Sequence, residues 1–175
     1  IGIDWKSGRF NPGKLNSQAL ASAVNEGRAR IHAANAAAAA ENGWSFSATG
    51  GSYGVDYLSR AAAARTGIGG ALPQDGLEAS TRVDASNARL QGGSRYVLTF
   101  PKNELPPVNA FWSLTLLDDE GRMVDNMLNR YALRGDRLKK NGDGSVTISI
   151  QAPPPGADKQ TNWLPAPKGN FQLVL

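Results

Sequence analysis

"RYVLTF" occupies residues 95–100 and "VTISIQ" residues 146–151. In the first run Tyr96, Leu98 and Phe100 alternate with Val97 and Thr99. In the second, Val146, Ile148 and Ile150 alternate with Thr147, Ser149 and Gln151. Successive side chains of a strand point to opposite faces, so each run offers one apolar face to a core. "FWSLTLL", starting at Phe111, and "FQLVL" at 171–175 extend the set, the latter grouping Phe171, Leu173 and Leu175. Turn signals separate the runs, "DDEG" at 118–121 and "NGDG" at 141–144. Short alternating strands with tight turns predict facing antiparallel layers, a β-sandwich of jelly-roll type closed by about six to eight strands.

Upstream the period changes. Leu20, Val24, Gly27 and Ile31 recur at helical spacing within a segment running from Leu15 to about Ala40. Asn16 or Ser17 suits its N-cap, and Asn42-Gly43 suits its end. "ENGWSFSATGGSYG" (41–54) reads as a loop leading to a second helix, Val55 to Thr66, stopped by Gly67. Its glycines precede a helix start as in phosphate-binding loops, yet no GK[ST] follows, and the plain loop reading is preferred. Residues 1–14 read as an irregular lead-in with "NPGK" as a turn. The expected class is α+β: a lead-in and helical connector over 1–70, then an antiparallel sandwich over 71–175.

Composition narrows the chemistry. The chain has no cysteine, which removes disulfides, thiolate metal sites and thiol nucleophiles. Its one histidine, His32, leaves a multi-histidine metal site impossible within one chain, and no metal or cofactor is expected. Ser113 sits in a strand run rather than on a G-x-S-x-G elbow, so acyl-enzyme chemistry has no support. The net charge of +4 comes from scattered lysines and arginines, with Lys139-Lys140 the only adjacent pair of lysines. Without interleaved aromatics this basicity does not predict nucleic-acid binding. No apolar run is long enough to span a membrane.

Five stretches together are more specific than periodicity: "YGVDYLSRA" (53–61), "RYVLTFPKNELPPVNAFWSLTLLDDEG" (95–121), "VDNMLNRYALRGDR" (124–137), "NGDGSVTISIQ" (141–151) and "NWLPAPKGNFQLVL" (162–175). In this order the chain resembles the C-terminal half of bacterial proteins that carry a domain of unknown function numbered 1254 followed by one numbered 1214. The resemblance implies paired jelly-roll sandwiches, with a likeness to viral-capsid-type rolls and to a glycan-cleaving amidase of two-roll shape. It also implies that an N-terminal domain and an arginine-containing tail lie outside this chain, which then reads as a fragment. It supplies no catalytic residues.

Candidate groups therefore come from the residues themselves. Trp163 either anchors the core, its indole N–H on a carbonyl, or forms a stacking platform for a sugar or aromatic ligand; Asn162 either ties irregular backbone beside Pro165 and Pro167 or orients that ligand. Phe111 and Trp112 point to opposite faces of their strand, so one of them leaves the core. Asn126, Asn129, Arg130, Tyr131, Asp136 and Arg137 make the richest polar stretch. Arg130 and Asp136 read as a buried pair, or Arg130 with the asparagines as a fork for a carboxylate, phosphate or polyhydroxylated ligand. Asp56 and Arg60, four apart on the second helix, read as an ion pair or as part of a cleft with Trp112. Asp56, Asp125 and Asp136 are the acids to test for carboxylate-pair hydrolysis; Asp118, Asp119, Glu120 and Asp143 read as solvated turn residues.

The expectation is a binding or structural module of a bacterial protein, in the periplasm or cell envelope rather than the cytoplasm. Its groove is lined by Trp112, Arg130, Tyr131, Asn162 and Trp163 and takes a small polar ligand or glycan. The alternative is a hydrolase of glycans or amides. The expected partner is the missing N-terminal domain or a second copy of the chain, since the stripe on the helices needs a cover.

Overall fold

The computed structural model describes residues 3–4, 6–10, 16–36, 39–46, 51–66 and 70–175. Two compact units divide the chain, residues 1–38 with 48–76 and residues 39–47 with 77–175. The "NPGK" segment and Gly67 lie outside the described residues.

In the first unit β1 (Ile3–Asp4) pairs antiparallel with β2 (Arg9–Phe10), so the lead-in carries a short strand pair where the sequence suggested irregular chain. Helix α1 (Ser17–Ala36) starts under Asn16, whose Oδ1 accepts the Ala19 N–H at 2.6 Å. It packs against α2 (Tyr57–Thr66). Leu20, Gly27 and Ile31 are half-buried, whereas Val24 is exposed, so the predicted stripe is covered in part. Asp56 precedes α2 as its cap: one carboxylate oxygen accepts the Ser59 N–H at 3.0 Å and the other the Ser59 hydroxyl at 2.6 Å. This replaces the predicted Asp56–Arg60 ion pair; Arg60 instead lies 5.0 Å over the Tyr57 ring.

Among the described residues the second unit carries nine strands: β3 (Ala39–Glu41), β4 (Trp44–Phe46), β5 (Ala79–Thr81), β6 (Tyr96–Phe100), β7 (Ser113–Asp118), β8 (Ala132–Arg134), β9 (Val146–Gln151), β10 (Trp163–Pro165) and β11 (Phe171–Val174). One sheet runs β3-β4-β5-β11-β7-β8 and the other β10-β9-β6. All pairs are antiparallel except β9 with β10, which run parallel. The α+β class holds, and the strictly antiparallel expectation is corrected at that pair. The loop expected at 41–54 is corrected as well. Asn42 and Gly43, at φ +52° and +78°, turn a hairpin between β3 and β4, the Asn-Gly pairing suited to a two-residue hairpin turn. The third predicted strand begins at Ser113 rather than Phe111.

Both sheets feed one apolar core. Leu114, Leu116, Leu133, Phe171 and Leu173 come from the six-stranded sheet, Val146, Ile148, Ile150 and Leu164 from the three-stranded one. Each such side chain contributes about 1.5–3 kcal/mol relative to leaving it exposed. Tyr96, Leu98 and Phe100 pack against this cluster, as their alternation predicts, while Val97 faces solvent.

The turn after β7 is built on Asp118. Its Oδ1 accepts the backbone N–H groups of Glu120 and Arg122, and its Oδ2 accepts Arg122 Nε at 3.2 Å. Donation from the Arg122 backbone N–H, more than the Arg122 guanidinium, holds the Asp118 carboxyl below the usual carboxylate range. A depressed folded pKa adds stability that is complete above the unfolded value, about 3.9, and is lost as pH falls through the folded one. The urea midpoint of the parent chain is therefore expected to approach that of Asp118→Asn as pH drops below about 4. Midpoints that stay parallel through that window would remove Asp118 from the acid response. Asp119, expected to be merely solvated, takes the guanidinium of Arg89, with Arg82 at 3.8 Å.

Candidate functional site

Asn162 and Trp163 sit where the chain enters β10, after a 3₁₀ segment over Ala157–Asn162. The Asn162 amide is fully engaged. Its Oδ1 accepts the Lys139 N–H at 2.8 Å, and its Nδ2 donates to Lys139 O at 2.8 Å and Thr147 O at 2.9 Å. It thereby joins the 138–140 turn and β9 to the start of β10. Trp163 is 2% exposed and donates Nε1–H to Gln151 O at 2.8 Å.

Strand register shows which face Trp163 occupies. Ser149 is opposite Val97 on β6 and opposite Trp163 on β10, so the three form a row. The next row, Tyr96, Ile150 and Leu164, packs into the shared core. Trp163 therefore lies on the outer face, outside the core cluster. Along the row exposure falls from 68% at Val97 to 8% at Ser149 and 2% at Trp163. Residues 152–162 connect these two parallel neighbours and cross over the sheet, and Pro154, Pro155, Gly156 and Lys159 come beside Val97 and Ser149 there.

The 124–137 stretch is organised around its own backbone. Asn126 Oδ1 accepts the N–H groups of Leu128 and Arg130, and its Nδ2 donates to the carbonyls of Val124 and Arg130. Asn129 holds the left-handed turn position, at φ +48°. Half-buried Arg130 donates through one terminal nitrogen to Gln160 O at 2.7 Å and Trp163 O at 2.9 Å. This corrects the predicted Arg130–Asp136 pair: Asp136 binds Arg134 Nε at 2.9 Å on the surface. The Tyr131 hydroxyl donates to Asp125 at 3.2 Å, and desolvation, more than Asp125, raises its pKa.

Of the adjacent aromatics, Phe111 leaves the core. It is exposed, and the Arg134 guanidinium lies 4.4 Å over its ring. Trp112 is half-buried beside Phe100, ring centroids 5.0 Å apart, and packs against the core. Gly135 lets the chain pass it, since a Cβ there would lie 2.3 Å from the indole. The structure thus brings Arg130, Asn162 and Trp163 together through backbone bonds. Trp112 and Tyr131 have partners of their own, and Asp56 and Arg60 belong to the first unit. His32 is exposed on α1.

A concavity of about 290 Å³ opens elsewhere on the second unit, where Arg95, Val97, Ser149, Gln151, Pro154 and Lys159 contribute to its wall. Sequence reading passed over it. The available signal was the polar face of "VTISIQ" followed at once by "APPPG", a stiff proline run that returns over the strand it has just left. Among the described residues no group of three or more His, Cys, Asp or Glu side chains is placed to hold a metal ion.

Fold and site together define an α+β chain with two antiparallel-rich sheets on one core and no assigned chemistry. The chain belongs to the family described as "Protein of unknown function (DUF1214)", which it matches over residues 75–175. It matches none of the curated proteins. Among solved structures it is similar to the VPA0106 protein from Vibrio parahaemolyticus, with 22% identity and a TM-score of 0.62 over 97% of this chain and 43% of that one. That likeness shows the fold alone. An uncharacterized protein from Burkholderia cenocepacia aligns with 18% identity and a TM-score of 0.43, over 93% of this chain and 38% of that one. The chain spans less than half the length of either relative.

Proposed function

We propose that this chain is a binding or structural module of a bacterial, envelope-associated protein and carries out no chemistry of its own. The observation that carries the reading is where the candidate groups spend their polar atoms. Asn162, Trp163 and Arg130 are committed to backbone groups that fix β10, and Asn126 closes its own loop. A hydrolase of the carboxylate-pair kind needs one acid held protonated in a cleft. Among the described residues the carboxyls displaced from their ordinary range are Asp56, Asp84, Asp118 and Asp143, all displaced downward, chiefly by hydroxyl or backbone N–H donors.

The two sheets are read as a roll of jelly-roll type. What supports this is that both sheets share one apolar core and that the first strand after residue 77, β5, lies beside the last strand, β11. The short span relative to the Vibrio protein supports a partner domain of the same polypeptide, the 1254-type domain, in the complete protein. The test is a panel of glycosides, acylated amino sugars and amides incubated with the chain. The expected result is no turnover above the buffer rate. Turnover that falls roughly a hundredfold in Asp125→Asn or Asp136→Asn would overturn the module reading. The compartment is checked by fractionating the native host for periplasmic and envelope material.

A further inference from the structure

We infer that the concavity on the outer face of β6 and β9 binds a small ligand with one carboxylate and an apolar body. This rests on the module reading and gives it a ligand class. The floor is the outward row of the three-stranded sheet, Val97 and Ser149, with Gln151 beyond; the roof is the crossover from Pro154 to Lys159.

Three features point to an anionic head group. The lining holds two cations, Arg95 and Lys159, and no acid. Among the described residues neither Arg95 nor Lys159 has a carboxylate partner, so both charges are free to meet an anion. The third feature is Ser149. Its side chain belongs to a residue only 8% exposed, it lines the concavity, and among the described residues its hydroxyl has no hydrogen-bond partner. Buried polar groups are nearly always paired, so a lone buried hydroxyl at the floor of a cationic hollow is a donor waiting for an oxygen.

The rest of the wall sets the body of the ligand. Val97, Pro154 and Pro155 are apolar, and consecutive prolines fix the roof before anything binds. Gln151 reinforces that roof by donating Nε2–H to Pro153 O at 2.8 Å, leaving its own oxygen as an acceptor. A volume of about 290 Å³ lies at the small end of ligand sites, which suits a short-chain acid better than an oligosaccharide.

The test is a titration of the 175-residue chain followed by amide chemical shifts, with hexanoate, hexanamide, inorganic phosphate and acetyl-dialanine as probes. Saturable shifts centred on Val97, Ser149 and Gln151 are expected with hexanoate, or with acetyl-dialanine if the carboxylate comes from a chain terminus. Arg95→Gln and Lys159→Gln should each weaken that binding about tenfold, and Ser149→Ala severalfold. Both cations are exposed, so urea midpoints unchanged from the parent confirm that a loss is not unfolding. Equal binding of hexanamide, binding of phosphate alone, shifts that never saturate, or full affinity in Arg95→Gln and Lys159→Gln would each overturn the inference. None of these outcomes bears on turnover, so the module reading stands or falls separately.

Discussion

Replacing Asn162 with alanine is expected to lower the unfolding free energy of the sheet-bearing unit by about 3 kcal/mol. Three hydrogen bonds of 2.8–2.9 Å end on this one amide, and the residue is 8% exposed. Alanine leaves one N–H and two carbonyls of Lys139 and Thr147 without their partner, at roughly 1 kcal/mol or more each. Urea unfolding followed by far-UV circular dichroism measures the difference; a loss under about 1 kcal/mol would mean that water replaces the amide with little cost. Asn162→Asp separates donor from acceptor. An aspartate there still accepts the Lys139 N–H but faces two carbonyl oxygens, to which only its protonated form can donate. Its folded pKa is therefore raised, so its contribution is present below the unfolded value of about 3.9 and lost as pH rises through the folded one. The deficit of Asn162→Asp against the parent should widen from about pH 4 upward.

Much of the second unit was legible because one rule, alternation, is enough to orient a strand once its face is apolar. Tyr96, Leu98, Phe100, Val146, Ile148 and Ile150 all fall where period two places them. The turn chemistry at 118–121 and 141–144 was legible for a similar reason, since Gly121 and Gly144 supply left-handed positions at φ +79° and +85°. What escaped depends on pairings distant in sequence. Asn42-Gly43 serves a helix end or a hairpin equally well locally, and only the pairing of β4 with β5 decides it. The parallel partnership of β9 and β10 has no local signature at all, and it is what buries Trp163 away from the core. Trp163 and Asn162 stand out in the sequence beside Pro165 and Pro167, but spacing does not reveal which atoms they satisfy. Arg130 and Asp136 illustrate the same point for charge: Asp136 finds Arg134 two residues away, while Arg130 reaches carbonyls 30 and 33 residues on. Ser149 was assigned its face, yet its burial comes from a roof that only the crossover supplies.

That dependence on distant backbone is sharpest at Gly92, where substitution by alanine is expected to cost about 3 kcal/mol or more. Gly92 is buried, and its N–H donates to Gly169 O at 2.9 Å. A Cβ on it would lie 1.5 Å from Pro167 O and 2.7 Å from Pro167 C, with Lys168 C at 3.1 Å. These obstacles are main-chain atoms, which cannot swing aside as a flexible side chain does. Room for one methyl group must come from separating 90–92 from 167–171. Those segments are joined by the Gln91–Asn170 bridge and by the Phe171 N–H on Leu90 O. Phe171 and Leu90 are core residues, at 0% and 3% exposure, so the displacement enters the core where β11 begins. Gly93→Ala is the control. Nothing lies within 4 Å of its Cβ position, so it should be neutral or stabilise by up to about 1 kcal/mol through the unfolded chain. Urea midpoints of the two variants measured side by side decide the matter: equal shifts would mean that the 167–171 segment yields freely, and that the close backbone approach at Gly92 does not hold β11 in place.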